Sequence, residues 1–168
     1  MGAYQMRPGV AHGGRNVIQR VVDAFAKGLG MVKESGSWYR HTDTLVNILN
    51  LQKSQYALHY YLNIAFWLTG LGSERFPKEN TAHVRIRLDV LLPEAADEIT
   101  KLLDLGSGIA DAQREEGLRA LLNSRLRPIL DRTTTVEDLR QLELTGLLMG
   151  AAVRVAAREI LDRASGRP

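Results

Sequence analysis

The sequence predicts an α+β fold, with an N-terminal helix, an antiparallel sheet of about four strands and a helical C-terminal half packed on one sheet face. Two changes of pattern predict it. Apolar residues recur at helical spacing up to Phe25, alternate with polar ones between Trp38 and Val90, and return to helical spacing after Pro93. The length of 168 residues, with 45% hydrophobic and 24% charged residues, suits one domain. We expect that domain over residues 15–168.

The N-terminal segment divides into a tail and a helix. Residues 1–14 hold four glycines and Pro8, which predicts a flexible tail. Gly28 and Gly30 are expected to end the helix that follows. Its apolar stripe consists of Val17, Ile18, Val21, Val22 and Phe25.

The middle of the chain predicts the sheet, which together with the first helix fills residues 15–93. Residues 38–40 favour a short strand, and residues 44–53 and 56–68 favour two longer ones, joined by a two-residue turn at Ser54 and Gln55. A loop over 69–81 then leads to residues 83–91, whose strict alternation predicts a further strand.

Residues 94–168 favour helices. We expect helices over 94–105 and 110–126, with Pro128 ending or kinking the second one because proline lacks a backbone N–H. Thr135 and Asp138 resemble a capping box that opens a helix to Leu144 or beyond. A last helix is expected over about 147–164, and the sequence leaves open whether these two are one kinked helix.

The predicted hairpin has two faces. Pairing Lys53 with Tyr56 places Leu49 opposite Tyr60 and Leu51 opposite Leu58, which makes an apolar face under the helices. We therefore expect Leu49 and Leu58 to be buried there. The same register places Asn50 opposite His59, Ile48 opposite Tyr61, Gln52 opposite Ala57 and Val46 opposite Asn63 on the other face.

This second sheet face is the candidate binding surface. Arginine forks bind carboxylates or phosphates, and amides supply hydrogen bonds, so such a surface favours recognition of a partner. The alternative is that these polar side chains only keep the face solvated, as is usual in antiparallel sheets. The candidate residues are Asn50, Gln52, His59, Tyr61, Asn63, Arg85 and Arg87.

Net charge is +3, and the sheet-bearing half carries the excess. Residues 1–93 hold 11 Lys and Arg against 6 Asp and Glu, whereas residues 94–168 hold 11 against 13. An excess this small is weaker than that expected of a dedicated nucleic-acid binder. The arginines between 114 and 132 alternate with acids, which is typical of a solvated helix face.

The histidines give no catalytic or metal motif. None of the four stands at ligand spacing from another, so we expect no metal, no cofactor and no catalytic residue. A proton-transfer group of His59, Tyr61 and Asp89 is the enzymatic alternative, although no nucleophile is evident. Gly70 and Gly72 lack the context of a dinucleotide fingerprint.

Cysteine usage and hydropathy bear on localisation. The sequence contains no cysteine, which excludes disulfides, thiolate metal sites and cysteine nucleophiles and suits a reducing compartment. No run approaches a membrane span, and Met1 to Gly14 lack the apolar stretch of a signal peptide. We expect a cytoplasmic protein that does not enter a membrane.

Several short runs carry a family resemblance. Residues 30–33 (GMVK) and 38–40 (WYR), then "VNILNLQKS" at 46–54 and "YYLNIAFWL" at 60–68, resemble the bacterial family called domain of unknown function 4304. The resemblance covers roughly residues 15–145, and Met31 stands where the family commonly has phenylalanine. It implies the order helix, sheet, helices, and no established activity.

These observations favour a non-catalytic module, accessory or immunity-like, that binds another protein through the polar sheet face. Such a role rests on analogy with other small domains. One alternative is a nucleic-acid-binding domain that uses Lys53, Tyr61, Arg85 and Arg87; the other is an enzyme centred on His59. The sequence does not indicate an oligomeric state.

Overall fold

A computed structural model describes residues 14–163, so the predicted tail lies outside the described residues apart from Gly14. The fold is α+β, as predicted, with an N-terminal helix, an antiparallel sheet and a helical C-terminal half. The helices are α1 Val17–Gly28, α2 Leu88–Leu91, α3 Ala96–Leu102, α4 Asp111–Leu121, α5 Arg127–Arg132, α6 Val136–Leu144 and α7 Val155–Arg163. The strands are β1 Val32–Glu34, β2 Ser37–His41, β3 Leu45–Lys53, β4 Tyr60–Leu68, β5 Val84–Arg87 and β6 Ala152–Val153.

The first helix forms as its apolar stripe predicts. Asn16 caps it, because its side chain accepts from the backbone N–H of Gln19 while the Gln19 side chain accepts from the N–H of Asn16. Past the helix end, Gly30 has φ of +73°, a conformation that favours glycine. The buried stripe packs against the helix-covered face of the sheet.

Within the described residues the sheet has six strands in the order β1-β2-β3-β4-β5-β6, each antiparallel to the next. The two strands beyond the predicted four are edge strands of three and two residues, too short to leave an alternation pattern. Ser35 and Gly36, with φ of +47° and +84°, form the tight turn between β1 and β2.

The β3–β4 hairpin forms with a longer loop than predicted. Lys53 pairs with Tyr60, not with Tyr56. Neither Ser54 nor Gln55 favours the left-handed conformation of a two-residue turn. The chain before β4 bonds instead to the loop after α3, where the N–H of Leu105 donates to the carbonyl of Leu58 (2.8 Å) and that of Tyr60 to Leu103 (2.8 Å).

The four-residue shift preserves the faces, because side chains alternate with a period of two. Asn50 now lies opposite Asn63, Gln52 opposite Tyr61, Ile48 opposite Ala65 and Val46 opposite Trp67. Leu49 is fully buried, as expected. The expected burial of Leu58 is wrong: it lies in the loop and is 58% exposed.

The predicted strand over 83–91 is wrong beyond Arg87. Residues Leu88–Leu91 form the short helix α2, in which Leu88 and Leu91 are buried at helical spacing. Val90, expected on the inner side of a strand, is 39% exposed. Leu88 fits both periods, whereas Leu91 fits only the helical one, and burial against the helical half selects the helix.

The C-terminal half departs from prediction at two places. Before Pro128 the chain passes from α4 through a π-helical segment, Leu122–Leu126, into α5. The missing N–H of the proline is thus accommodated by a local change of helix type, and the chain stays helical past Pro128. The capping box of Thr135 and Asp138 is present at the start of α6. The helix expected over 147–164 begins only at Val155, because Gly146 has φ of +83° and the chain first forms β6.

The core lies between one sheet face and the helices, where a continuous apolar cluster joins α1, β3, β4, β5 and the C-terminal helices. The second face carries a smaller cluster. It comprises Tyr39, Val46, Ile48, Ala65, Trp67 and Ala82, with Phe76 packed against it. In the described part of the chain, no helix is both long and apolar enough to cross a bilayer.

Candidate binding surface

The second sheet face has a covered half and an open half. The segment between β4 and β5 packs Phe76 and Ala82 on the apolar strand positions. The indole Nε1 of Trp67 donates to the carbonyl of Gly72 at 3.0 Å, which fixes this segment on the sheet. The polar positions beside it stay open, so only half of the second sheet face is free.

Six of the seven candidate residues lie on this face. Asn50 pairs with Asn63, Asn63 with Arg87, and Ala65 with Arg85, which aligns three strands in register. His59 precedes β4 and forms an isolated bridge with Asp104, so it lies at the end of the sheet and not opposite Asn50. Lys53 belongs by alternation to the helix-covered face, away from the two arginines.

The open half contains a cleft of about 580 Å³, which we call the amide groove. Its lining includes Asn50, Gln52 and Arg85 from the sheet. Around them lie the end of β1, the β1–β2 turn, the first part of β2 and part of the segment before β5, contributed by Glu34, Ser35, Ser37, Tyr39, Phe76, Lys78, Glu79 and Asn80.

Three amides inside the face bond to one another. Asn63, 6% exposed, donates from Nδ2 to Gln52 Oε1 at 3.1 Å and to Asn50 Oδ1 at 3.4 Å. Asn50 in turn donates to the Ser37 hydroxyl at 3.0 Å. Asn63 therefore orders the groove floor, and the exposed side chain of Gln52 is the amide best placed to meet a partner.

Arg85 is held by a carboxylate from the covering segment. Its Nε donates to Glu79 Oε1 at 2.8 Å, and the Glu79 side chain is only 10% exposed. Arg85 also lines a smaller cleft of about 260 Å³ that adjoins the groove and reaches Asn63 and Arg87. This arginine is thus shared by both hollows of the open half.

More of the Arg87 guanidinium is engaged by contacts within the protein. Nε and Nη2 donate to Asp89 Oδ1 and Oδ2 at 3.0 and 2.6 Å, and the guanidinium lies 4.7 Å from the Tyr61 ring centroid. The hydrogen bonds that Arg87 donates to Asp89 raise the pKa of Arg87. A two-point salt bridge and a cation–π contact together fix the side chain in place.

A third cleft, of about 350 Å³, lies where the sheet meets α2 and α3, and brings together His59, Tyr61, Arg87 and Asp89. The His59 ring makes an edge contact with Tyr61, with centroids 4.7 Å apart. Both Asp89 oxygens serve Arg87, so Asp89 does not orient His59 as an acid–base partner would need. Within residues 14–163, no three acidic or histidine side chains are grouped to hold a metal ion.

Sequence reasoning missed several groove residues. Ser37 and Tyr39 share the face with Asn50 and could have been found from the register of β2. Burial raises the pKa of Tyr39, so its hydroxyl stays neutral. Lys78 and Glu79 lie in the covering segment, which has no periodicity to indicate where its side chains point.

The charges along the open half balance. Lys78, Arg85 and Arg87 are the cations, and Glu34, Glu79 and Asp89 are the carboxylates. Two of the three cations are in ion pairs with carboxylates of the same face. A surface of this kind is polar, aromatic and near neutral.

The fold and the groove define a small α+β domain whose sheet has one helix-covered face and one partly open polar face. The family model described as Domain of unknown function (DUF4304) matches residues 22–132, more than half of the sequence, and the chain belongs to this family. The matched range contains all seven candidate residues and ends at the last residue of α5. No curated protein and no solved structure gave a significant match.

Proposed function

We propose that this chain is a non-catalytic protein-binding module, accessory or immunity-like, that holds its partner in the amide groove. The observation that carries the proposal is the open half of an otherwise covered sheet face, with a hollow of about 580 Å³ lined by amides, a tyrosine and charges of both signs. Mixed polar and aromatic lining with preorganised side chains suits a protein surface. We place this activity in the cytoplasm of a bacterium.

Charge balance favours a protein over a nucleic acid. Phosphate binding depends on several uncompensated Lys and Arg side chains, and its affinity falls steeply with salt. Here Glu79 and Asp89 already neutralise Arg85 and Arg87. Lys53, which the nucleic-acid alternative requires, belongs to the other face.

Site-specific crosslinking tests the proposal. A photoreactive amino acid at Gln52, exposed on the groove floor, should crosslink a partner protein in cells, and one at exposed Gln113 on α4 should not. The partner is then purified and its Kd measured for Gln52→Arg and for the matched control Gln113→Arg. A loss of ten-fold or more for Gln52→Arg alone supports the groove.

Equal affinity of both variants for the purified partner would show that the groove is not part of the interface. A 20-nucleotide single strand that binds the chain, with affinity that falls steeply with salt and is lost in Gln52→Glu, would favour the nucleic-acid alternative instead.

A further inference from the structure

The two arginines of the open half present different parts of their guanidinium groups. Arg87 gives Nε and Nη2 to Asp89 and lies over Tyr61. Arg85 gives only Nε to Glu79, and its Nη1 and Nη2 have no hydrogen-bond partner among residues 14–163. The pair of terminal nitrogens on Arg85 is therefore the open fork of the face.

Glu79 holds the Arg85 guanidinium in place before any ligand binds. Its side chain is 10% exposed, whereas that of Arg85 is 36% exposed, so the carboxylate lies beneath and the guanidinium faces the hollow. A guanidinium fixed at Nε by a carboxylate loses less conformational freedom when its other edge binds a ligand. Planar forks of this kind match a carboxylate through two parallel hydrogen bonds.

The other free groups around the fork are mostly donors. Lys78 lines the same groove, and its ammonium forms no ion pair within the described chain. The Gln52 amide oxygen accepts from Asn63, which leaves its NH₂ as a donor for the groove. Glu34 is the carboxylate of the lining that lacks an ion pair with a described residue.

We infer that the partner inserts an acidic segment into the amide groove, with one Asp or Glu carboxylate on the Arg85 fork and Lys78 and Gln52 beside it. This inference rests on the proposed function and names the chemistry of the bound segment. The Arg85 fork matches one carboxylate through two parallel hydrogen bonds, and Lys78 and Gln52 supply further donors beside it.

Side-chain NMR with a defined probe tests the inference. We would titrate ¹⁵N-labelled protein with acetyl-hexaglutamate amide and, as the neutral control, acetyl-hexaglutamine amide, up to millimolar concentration. The acidic peptide is expected to shift the Arg85 Nε–H and Gln52 NH₂ signals, and the neutral peptide is not. The shifts should weaken as salt rises from 50 to 500 mM, because the Debye length falls from about 14 Å to about 4 Å over this range and exposed ion pairs are screened more strongly.

Substitutions at Arg85 test whether hexaglutamate binding depends on its open fork. Arg85→Met should weaken hexaglutamate binding ten-fold or more, and Arg85→Lys should weaken it less, because an ammonium keeps the charge and loses the fork. Arg119→Met on α4, where Arg119 also pairs with a glutamate, is the matched control and should bind as wild type. The double variant Glu79→Gln with Arg85→Met avoids an unpaired carboxylate if the single variant is unstable.

In the peptide experiments, three results would overturn the inference: no shifts with hexaglutamate, equal shifts with hexaglutamine, or undiminished binding by the folded double variant. If the crosslinked partner still needs Gln52 but tolerates Arg85→Met, the acidic-segment inference is wrong and the proposed function stands. If the partner tolerates both Gln52→Arg and Arg85→Met, both are wrong. Tighter binding of a single-stranded oligonucleotide than of hexaglutamate would assign the fork to phosphate.

Discussion

The indole Nε1 of Trp38 donates a hydrogen bond to Oδ1 of Asp23 at 2.9 Å, and this contact joins α1 to β2 inside the structure. The same carboxylate accepts from Arg15 and Lys27, each at 2.8 Å. We predict that Asp23→Ala lowers the free energy of unfolding by about 2–3 kcal/mol, because a buried indole N–H loses a charged acceptor. Urea unfolding measures it, with exposed Asp43→Ala as a control expected within about 0.5 kcal/mol of wild type.

The contacts of Asp23 also predict that the protein loses folding stability in acid. Hydrogen bonds from Lys27, Trp38 and Arg15 hold the pKa of Asp23 well below its usual range, against the opposing effect of burial. Its contribution to stability should be complete above about pH 5 and should be lost as pH falls below the unfolded-state value of about 3.9 toward the lowered folded-state pKa. Wild type should therefore lose more stability than Asp23→Asn between pH 5 and pH 3. Parallel curves for the two proteins would show that this carboxylate is not linked to folding.

The contacts of His83 predict a second pH dependence of the folding stability, in a higher pH range than that of Asp23. Its Nδ1 accepts the backbone N–H of Leu68 at 2.9 Å, and its ring lies 4.0 Å from that of Trp67. Burial and then the positive charge of Arg154 lower the pKa of His83. As pH falls below about 6.5, His83 is therefore protonated in the unfolded state before it is protonated in the folded state. Its contribution to stability is complete above that pH and is lost as pH falls.

The measurement is the free energy of unfolding at pH 7.5 and at pH 5.5. His83→Gln keeps an acceptor for Leu68 but does not titrate, so its difference between the two pH values should be smaller than that of wild type. Gln113→Ala is the control, because Gln113 is exposed and does not titrate, so this variant should keep the wild-type difference. A His83→Gln protein with the full wild-type slope would contradict this role.

The hairpin register predicts a contrast between two leucines. Leu49→Ala should cost about 2–4 kcal/mol, since Leu49 is fully buried under the helices. Leu58→Ala should cost less than about 1 kcal/mol, because Leu58 is 58% exposed in the loop. Comparable losses for the two variants would favour the two-residue turn and its register over the one described.

Arg114, expected from the sequence on a solvated helix face, is instead a buried cation with no carboxylate partner among residues 14–163, and we predict a large loss of stability when it is replaced. It is 1% exposed, and its Nη1 donates to the carbonyls of Lys101 and Leu102 at 3.0 and 2.8 Å, at the C-terminal end of α3. Nη2 donates to Ser107 and Ile109 at 3.2 and 3.3 Å. Arg114→Met should cost about 2–4 kcal/mol, because buried acceptors lose their donors.

Arg114→Lys should recover part of that loss, since one ammonium can reach one set of acceptors but cannot span both. Thermal and urea unfolding measure these changes, and exposed Arg119→Met should stay within about 1 kcal/mol of wild type. A neutral Arg114→Met would show that solvent reaches this site.

The faces of the sheet follow from the sequence because alternation is a local property. Strict alternation assigns Arg85 and Arg87 to one side whatever the register, and Leu49 to the other. The register depends on contacts distant in the chain. The backbone bonds from Leu105 to Leu58 and from Tyr60 to Leu103 lengthen the hairpin loop, and no pattern near Ser54 indicates them.

The candidate surface was predictable in part for the same reason. Asn50, Gln52 and Asn63 follow from alternation, whereas the cover over half of the face comes from an aperiodic segment that places Phe76 and Glu79. His59 was displaced because the hairpin shifted by four residues. Which arginine has an open fork depends on side-chain pairing with Glu79 and Asp89, which sequence spacing does not determine.

The strand order has a consequence for how the chain folds. Strands β1 to β5 pair with their neighbours in sequence, so five strands can assemble by successive closures of short loops. Strand β6 is separated from β5 by residues 88–151, which contain α2 to α6, and can pair only after that long segment has closed. We therefore expect the last edge to be added late in refolding, with amides of β2 to β4 protected from hydrogen exchange before those of β6 and α7.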